Sequence, residues 1–311
     1  MGKDKWTPGF FNGMRQMGDS LADHTIQVLF EEHGVEAVSH VLEGLITNDQ
    51  PLPAKPARLS ARADKAWRDY FARSAILPRW ARPALIKKGE QVYMEHGMMG
   101  FSILGCASLP EAYATDYAAK VLGITQQLER HVRRRIYETT QFVIDVMSGG
   151  GLQPRGKGIR AAQKVRLMHA AIRHLIRTVP QASAINAQPR TLAQALLKSR
   201  WPKRYGTPIH QAAMSMAVLS FSYIVLRSLR KLGVRLHRAE IATKHNLDIL
   251  RNYCCLFLGV LQFWPLYRWY RHYVKRVTGA ELDNVYEHVR KSYRALRLGM
   301  LDYGLFWAIR A

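Results

Sequence analysis

The sequence has few cysteines, with three in 311 residues, at Cys106, Cys254 and Cys255. The last two are adjacent in the chain and are therefore poorly placed to form an ordinary disulfide bond. The first residues contain no apolar signal-peptide segment and no twin-arginine signal, so we expect a cytoplasmic protein with reduced thiols. These features argue against a secreted, disulfide-stapled protein.

Acidic residues are also scarce, because 23 Asp and Glu stand against 46 Lys and Arg, which gives a net charge of +23. Such a charge attracts nucleic acids, anionic membranes and anionic ligands. The chain nevertheless lacks a helix-turn-helix signature, a zinc finger and an aromatic RNA-binding motif. The basic residues are spread along the chain, as on solvated helix faces. We therefore expect no specific nucleic-acid partner.

One apolar run in the C-terminal part of the chain is shorter than a membrane span. Between Arg251 and Arg268 lie sixteen mostly apolar residues, whereas a spanning helix needs about 20. A buried helix is the first interpretation of this run. Trp264 and Trp269 together with the basic residues that follow support a second one, peripheral contact with an anionic membrane surface.

Alternating strand patterns are rare, and long segments with helical periodicity predict an all-α, single-domain protein over residues 1–311. We expect an N-terminal arm at 1–17, two helices around Gly34 and a helix capped by Ser60. A further helix is expected over 83–108, another over 209–232 ending at Gly233, and a C-terminal helical extension at 279–311. The proline-rich segment 50–56 is predicted to be an extended connector.

The most informative segment, 128–177, has the pattern of two helices joined by a glycine-rich turn. Each helix has an apolar stripe, and the second stripe contains His169. The stripe residues are Leu128, Val132, Ile136, Val143 and Met147 in the first helix, and Val165, Met168, Ile172 and Ile176 in the second.

Helical geometry sets Thr139 about 12 Å from the end of the first helix and His169 about 16 Å beyond Gly158. In an antiparallel hairpin His169 therefore faces the level of Arg135 and Thr139. One imidazole opposite polar groups suits a flat, metal-bearing cofactor. The alternative, a core histidine that is hydrogen-bonded to its neighbours, also fits the pattern. A buried Arg135 needs a partner, either Glu138 or a cofactor carboxylate.

Particular motifs resemble a known family. Arg135-Ile-Tyr-Glu-Thr-Thr140, the glycine-rich turn and Lys164-Val-Arg-Leu-Met-His-Ala-Ala-Ile-Arg173 resemble the latex-clearing proteins (rubber oxygenases) and the related mycophenolic-pathway oxygenases. The segments Ser108–Ala114, Gly206–Gln211 and Phe221–Gly233 extend the resemblance, which covers about residues 18–261.

The resemblance implies an all-helical fold with a globin-like core and additional terminal helices, and haem b as the cofactor. It implies that His169 is the axial iron ligand, and that Met168 and His174 also contact the haem. Arg135 and Thr139 are expected on the opposite haem side, where they and Glu138 are the candidate catalytic residues. Glu138 stands where characterised rubber oxygenases have a lysine.

The resemblance therefore predicts a haem-dependent oxygenase that oxidises or cleaves a carbon–carbon double bond with dioxygen. Its expected substrate is an apolar small molecule, isoprenoid-like or an unsaturated lipid. The alternative is a non-catalytic protein that binds haem or an apolar ligand. Peripheral contact with an anionic membrane is compatible with either function. The sequence leaves the oligomeric state open.

Overall fold

The structure, a computed structural model, describes residues 8–45, 59–79, 81, 83–108, 117, 120–121, 132–178 and 201–234. Over these ranges it contains helices and no β-strand, which confirms the predicted all-α class. The α-helices are α1 (Pro8–Arg15), α2 (Ser20–Leu45), α3 (Ala61–Ser74), α4 (Pro83–Ile103), α5 (Val132–Met147), α6 (Lys157–Thr178), α7 (Gln211–Phe221) and α8 (Tyr223–Lys231). A π-helical turn at Leu104–Ser108 extends α4, and a short 3₁₀ turn occupies Lys203–Tyr205.

Two expected helix signals are confirmed. Gly34 has a φ of 71° and kinks α2 into the two predicted segments, a conformation that glycine adopts without steric cost. Ser60 caps α3, since its hydroxyl accepts a hydrogen bond from the Ala63 N–H at 3.0 Å.

The single helix predicted over 209–232 is instead two helices, which is a correction. His210 caps α7, and Ser222, with φ −116° and ψ −73°, separates α7 from α8. The Ser222 hydroxyl donates to the Val218 carbonyl at 2.6 Å, and this local bond competes with regular helix geometry. Within the described residues, Gln211–Lys231 has the length and composition of a membrane-crossing segment, with a mean hydropathy of 1.5, although nearly half of it is buried in the protein.

Part of the expected N-terminal arm is helical. α1 lies at 8–15, Met14 is buried, and Phe10 and Phe11 pack against the same core cluster. The connector at 50–56, the run between Arg251 and Arg268 and the extension at 279–311 lie outside the described residues.

Helix α6 is the central element of the described fold, because it packs against α2, α3 and α5. Its first half joins a cluster with α5 and α7 that includes Val146 and Val218. Its second half joins a cluster with α2 and α3 that includes Leu29 and Tyr70. The Tyr70 hydroxyl donates to the Gln163 carbonyl at 2.7 Å, which fixes α3 to α6. The helix that carries His169 is therefore held on several sides.

Candidate functional site

The glycine-rich turn brings the backbones of α5 and α6 into contact. A methyl group at Gly158 would lie 2.7 Å from the Val146 Cα and 2.8 Å from the Asp145 carbonyl oxygen. Gly151 and Gly156 are equally confined by backbone atoms of the turn. The glycines therefore serve close packing, and the contact sets Gly158 level with Val146.

This contact fixes the register of the hairpin. His169 lies eleven residues after Gly158, and residue 135 lies eleven residues before Val146. Eleven residues make about three helical turns and a rise of about 16 Å, so each position returns to the same face as the contact. Because the two packed helices run antiparallel from a short turn, His169 and residue 135 occupy facing positions at one height.

The facing residues of the two helices are buried near the turn and less buried farther from it. On the inner face of α5, Phe142, Val143 and Val146 are buried. Thr139 lies about two turns before Val146 on that same face, yet it is exposed. On α6 the matching positions Val165 and Met168 are only half-buried, although Ala161 and Ala162 are buried. The hairpin thus opens at the level of Thr139.

His169 is half-buried on the face of α6 that borders this opening. Glu138, half-buried, and Thr139 lie on α5 at the opposite side, and the structure places residue 135 in the same helix. His169 and Met168 on α6 and Glu138 and Thr139 on α5 therefore lie in the same part of the hairpin.

His174 lies on a different side of α6, about 140° around the helix from His169 at 3.6 residues per turn. Its ring packs against Phe30 of α2, with ring centroids 4.4 Å apart. Burial lowers the pKa of His174, and Glu31 partly offsets that effect. The structure does not group this histidine with Glu138 and Thr139.

Two buried arginines flank His169 on α6, and sequence reasoning did not identify them. Arg166 binds Asp19 through two hydrogen bonds, of 2.6 Å from Nε and 3.0 Å from Nη2. Arg173 donates from Nε to Asp23 at 2.8 Å. Two arginines seven residues apart inside an apolar helix were the available signal, because buried arginines need acidic partners.

Burial and charge act in opposite directions on these pairs. Desolvation, the largest single effect, lowers the pKa of Arg166, but Asp19, Tyr70 and Asp23 together outweigh it and raise the pKa overall. Burial raises the pKa of the Asp23 carboxyl, and Arg173 opposes part of that rise. Arg166 remains charged at neutral pH, since guanidinium groups do not lose their proton in proteins.

One histidine that faces polar groups is a donor set that fits haem, because haem needs only one protein ligand to its iron. His169 supplies the imidazole, and Glu138 and Thr139 lie on the facing helix. Among the residues that the structure describes, no three His, Cys, Asp or Glu side chains cluster closely enough to hold a metal ion.

Comparison with known proteins identifies a similar family over the part of the chain that contains the hairpin. Residues 91–243 match the model of the family described as ER-bound oxygenase mpaB/B'/Rubber oxygenase, catalytic domain. A rubber oxygenase of Streptomyces sp. (strain K30) is 25% identical over 226 residues, which is 71% of this chain and 49% of that protein. The chain therefore spans about half the length of the curated relative that it matches.

A solved structure of latex clearing protein LCP in the closed state has a similar fold. The match has a TM-score of 0.54 at 22% identity and covers 79% of this chain and 59% of that one. The helical hairpin of α5 and α6 lies entirely within the family match at 91–243. The matched segment and the curated relative make the chain similar to the rubber-oxygenase family, and the solved structure shares its all-helical fold.

Proposed function

We propose that this protein is a haem b-dependent oxygenase that oxidises or cleaves a carbon–carbon double bond of an apolar, isoprenoid-like or unsaturated lipid substrate. The observation that carries the proposal is the opening between α5 and α6, bordered by His169 and Thr139 inside the family-matched segment. The relatives support the reaction class, because the matched family consists of oxygenases and the similar Streptomyces protein is a rubber oxygenase.

In this proposal His169 would hold the haem iron, and the bound haem would supply redox chemistry with dioxygen. Met168 would contact the haem, and His174 would contribute to its surroundings from another side of α6. Thr139 on the facing helix would offer its hydroxyl as a hydrogen-bond donor. Arg135 offers a fixed positive charge there, either to a haem propionate or to negative charge that develops during the reaction.

Glu138 has two candidate roles, and they predict different results. As a general base its carboxylate takes a proton from the allylic carbon of the substrate. As the partner of Arg135, one helical turn earlier, it holds that guanidinium in place. Glu138→Gln removes the charge and keeps the shape. Loss of a general base slows turnover about 100-fold or more with an unchanged haem spectrum, whereas loss of the arginine partner also shifts the spectrum.

The reaction is tested by oxygen uptake of the haem-loaded protein with matched substrates. Squalene and squalane share one carbon skeleton, but only squalene has double bonds. We expect oxygen uptake with squalene, a carotenoid or cis-polyisoprene, none with squalane, and carbonyl products if the double bond is cleaved. A haem-loaded protein that consumes no oxygen with any member of the panel contradicts the oxygenase proposal and favours the carrier alternative.

Location in the cytoplasm and peripheral contact with an anionic membrane stay predictions. The net charge of +23 is the feature that supports membrane contact. Sedimentation with vesicles of phosphatidylserine and phosphatidylcholine, compared with phosphatidylcholine alone, tests it directly.

A further inference from the structure

The beginning of α2 is docked onto α6 by the two buried ion pairs. Asp19 accepts a hydrogen bond from the Ala22 N–H at 3.2 Å and so caps α2, while both of its carboxylate oxygens bind Arg166. Asp23 follows one turn later and binds Arg173. Only 2% of the Arg166 side chain and 4% of the Arg173 side chain are exposed. Each arginine is therefore committed to its partner in the interior.

These pairs bracket His169 along α6. Arg166 lies three residues before His169 and Arg173 lies four residues after it, so all three share one side of the helix. Side chains at such spacings have Cβ atoms about 5–6 Å apart. The ion pairs therefore fix the rotation of α6 one turn before and one turn after the candidate iron ligand.

A second set of contacts strengthens the same docking. Arg173 also donates from Nη1 to the Ile209 carbonyl at 3.1 Å, just before α7. Gln211 of α7 donates from Nε2 to the Gly18 carbonyl at 2.6 Å. A methyl group at Gly18 would collide with the Asp23 carboxylate and lie 3.0 Å from the Arg173 Nε, so it would displace this ion pair. The α1–α2 junction, α6 and the start of α7 thus form one polar joint.

Stability alone is a weak reason for such pairs. Desolvating two charges costs much of what their attraction returns, and apolar replacements of similar volume are often equally stable. In some proteins buried polar or ionic groups instead specify one arrangement of the elements that they join. The acidic partners also lie upstream of the family-matched residues 91–243, whereas both arginines lie inside them.

We propose that Asp19 and Asp23 are positioning residues, which orient the His169 imidazole toward the haem by holding α6 in one rotation. Their carboxylates also cancel the two positive charges next to the ligand. The inference rests on the proposed haem function. It assigns a role in the site to the N-terminal segment, outside the family-matched domain.

The test compares Asp19→Asn and Asp23→Asn in the full-length, haem-loaded protein. Each substitution keeps the side-chain shape but leaves a buried arginine without its counter-charge. We expect a more positive haem reduction potential, since uncancelled positive charge near the iron favours its reduced form. We also expect haem transfer to apomyoglobin to be about 10-fold faster, as for other residues that orient metal ligands. Arg62→Gln, which breaks an exposed ion pair with Glu31, is the matched control and should change neither quantity.

The double variant Asp19→Asn/Arg166→Gln keeps the test decisive if a single substitution does not fold, because it buries no unpaired charge. There we expect the reduction potential to return toward that of the unmodified protein, while haem transfer stays faster. Unchanged haem transfer in the folded double variant overturns the positioning role. Unchanged potential and transfer in both single variants do so as well.

Failure of the proposed function gives a different result. An unmodified protein that binds no haem refutes the haem function itself. An unmodified protein that binds haem, with variants that match it in potential and haem transfer, refutes only the positioning role of Asp19 and Asp23.

Discussion

Acidification should destabilise this protein through His210, the buried N-cap of α7. The His210 side chain is 0% exposed, and its Nδ1 accepts a hydrogen bond from the Ala213 N–H at 2.9 Å. Its ring also packs on Tyr117, with ring centroids 4.6 Å apart. Burial, with a smaller contribution from Arg15, lowers the pKa of His210 to about 4. A proton on Nδ1 would remove the cap acceptor and place a charge in the core.

The lowered pKa has a definite sign. A histidine with an ordinary pKa of 6.5 in the unfolded chain and about 4 in the folded protein binds a proton more readily when unfolded. Its contribution to stability is therefore complete above pH 6.5 and is lost as the pH falls through about 4. At about 1.4 kcal/mol per pKa unit, the full loss is about 3 kcal/mol, of which about 2 kcal/mol is lost by pH ~5.

Urea unfolding at pH 8 and pH 5 measures this loss. His210→Asn preserves a capping oxygen for the Ala213 N–H but cannot be protonated. Between pH 8 and pH 5 the free energy of unfolding should therefore decrease by about 2 kcal/mol less in this variant than in the unmodified protein. His24→Asn, at an exposed position of α2, controls for the loss of a histidine elsewhere. An unchanged pH dependence in His210→Asn would refute the reasoning.

Two further substitutions test the packing that holds the hairpin. Gly158→Ala forces the α5 and α6 backbones apart, and we expect a loss of about 1–3 kcal/mol in the free energy of unfolding. The control is Gly89→Ala, because a methyl group there meets no atom within 4 Å. We expect this control to be neutral or stabilising by up to about 1 kcal/mol. Equal effects of the two would contradict the close contact. Tyr70→Phe removes the buried bond to the Gln163 carbonyl and should cost about 1–3 kcal/mol. Tyr205→Phe is the comparison, because the half-buried Tyr205 accepts a solvent-exposed hydrogen bond from Arg204. A similar cost there would argue against a specific role for the Tyr70 bond.

Local signals made much of the fold predictable from sequence. Gly34 breaks α2 because a glycine with positive φ interrupts a helix at no steric cost. Ser60 begins α3 because its hydroxyl can satisfy an otherwise unpaired N–H. The hairpin was predictable because apolar residues at helical spacing indicate its two helices and the cluster of glycines indicates the turn between them. Both signals depend only on residues close together in the chain.

Long-range pairing was not predictable in the same way. The partners Asp19 and Arg166 are 147 residues apart in the chain, and no local pattern indicates which carboxylate meets which arginine. The break at Ser222 was not predicted, because the hydrogen bond from its hydroxyl to the Val218 carbonyl does not change the apolar periodicity of the sequence. The separation of His174 from Glu138 and Thr139 likewise depends on the rotation of α6, which its contacts with α2 set.

An absorption spectrum of the purified protein, before and after haem reconstitution, tests the central claim most directly. The account predicts a Soret band with about one haem per chain, and loss or displacement of that band in His169→Ala. His96→Ala in α4 provides a comparison outside the hairpin and should leave the band unchanged. Full haem loading of His169→Ala with the spectrum of the unmodified protein would contradict the account, because the iron would then have another ligand.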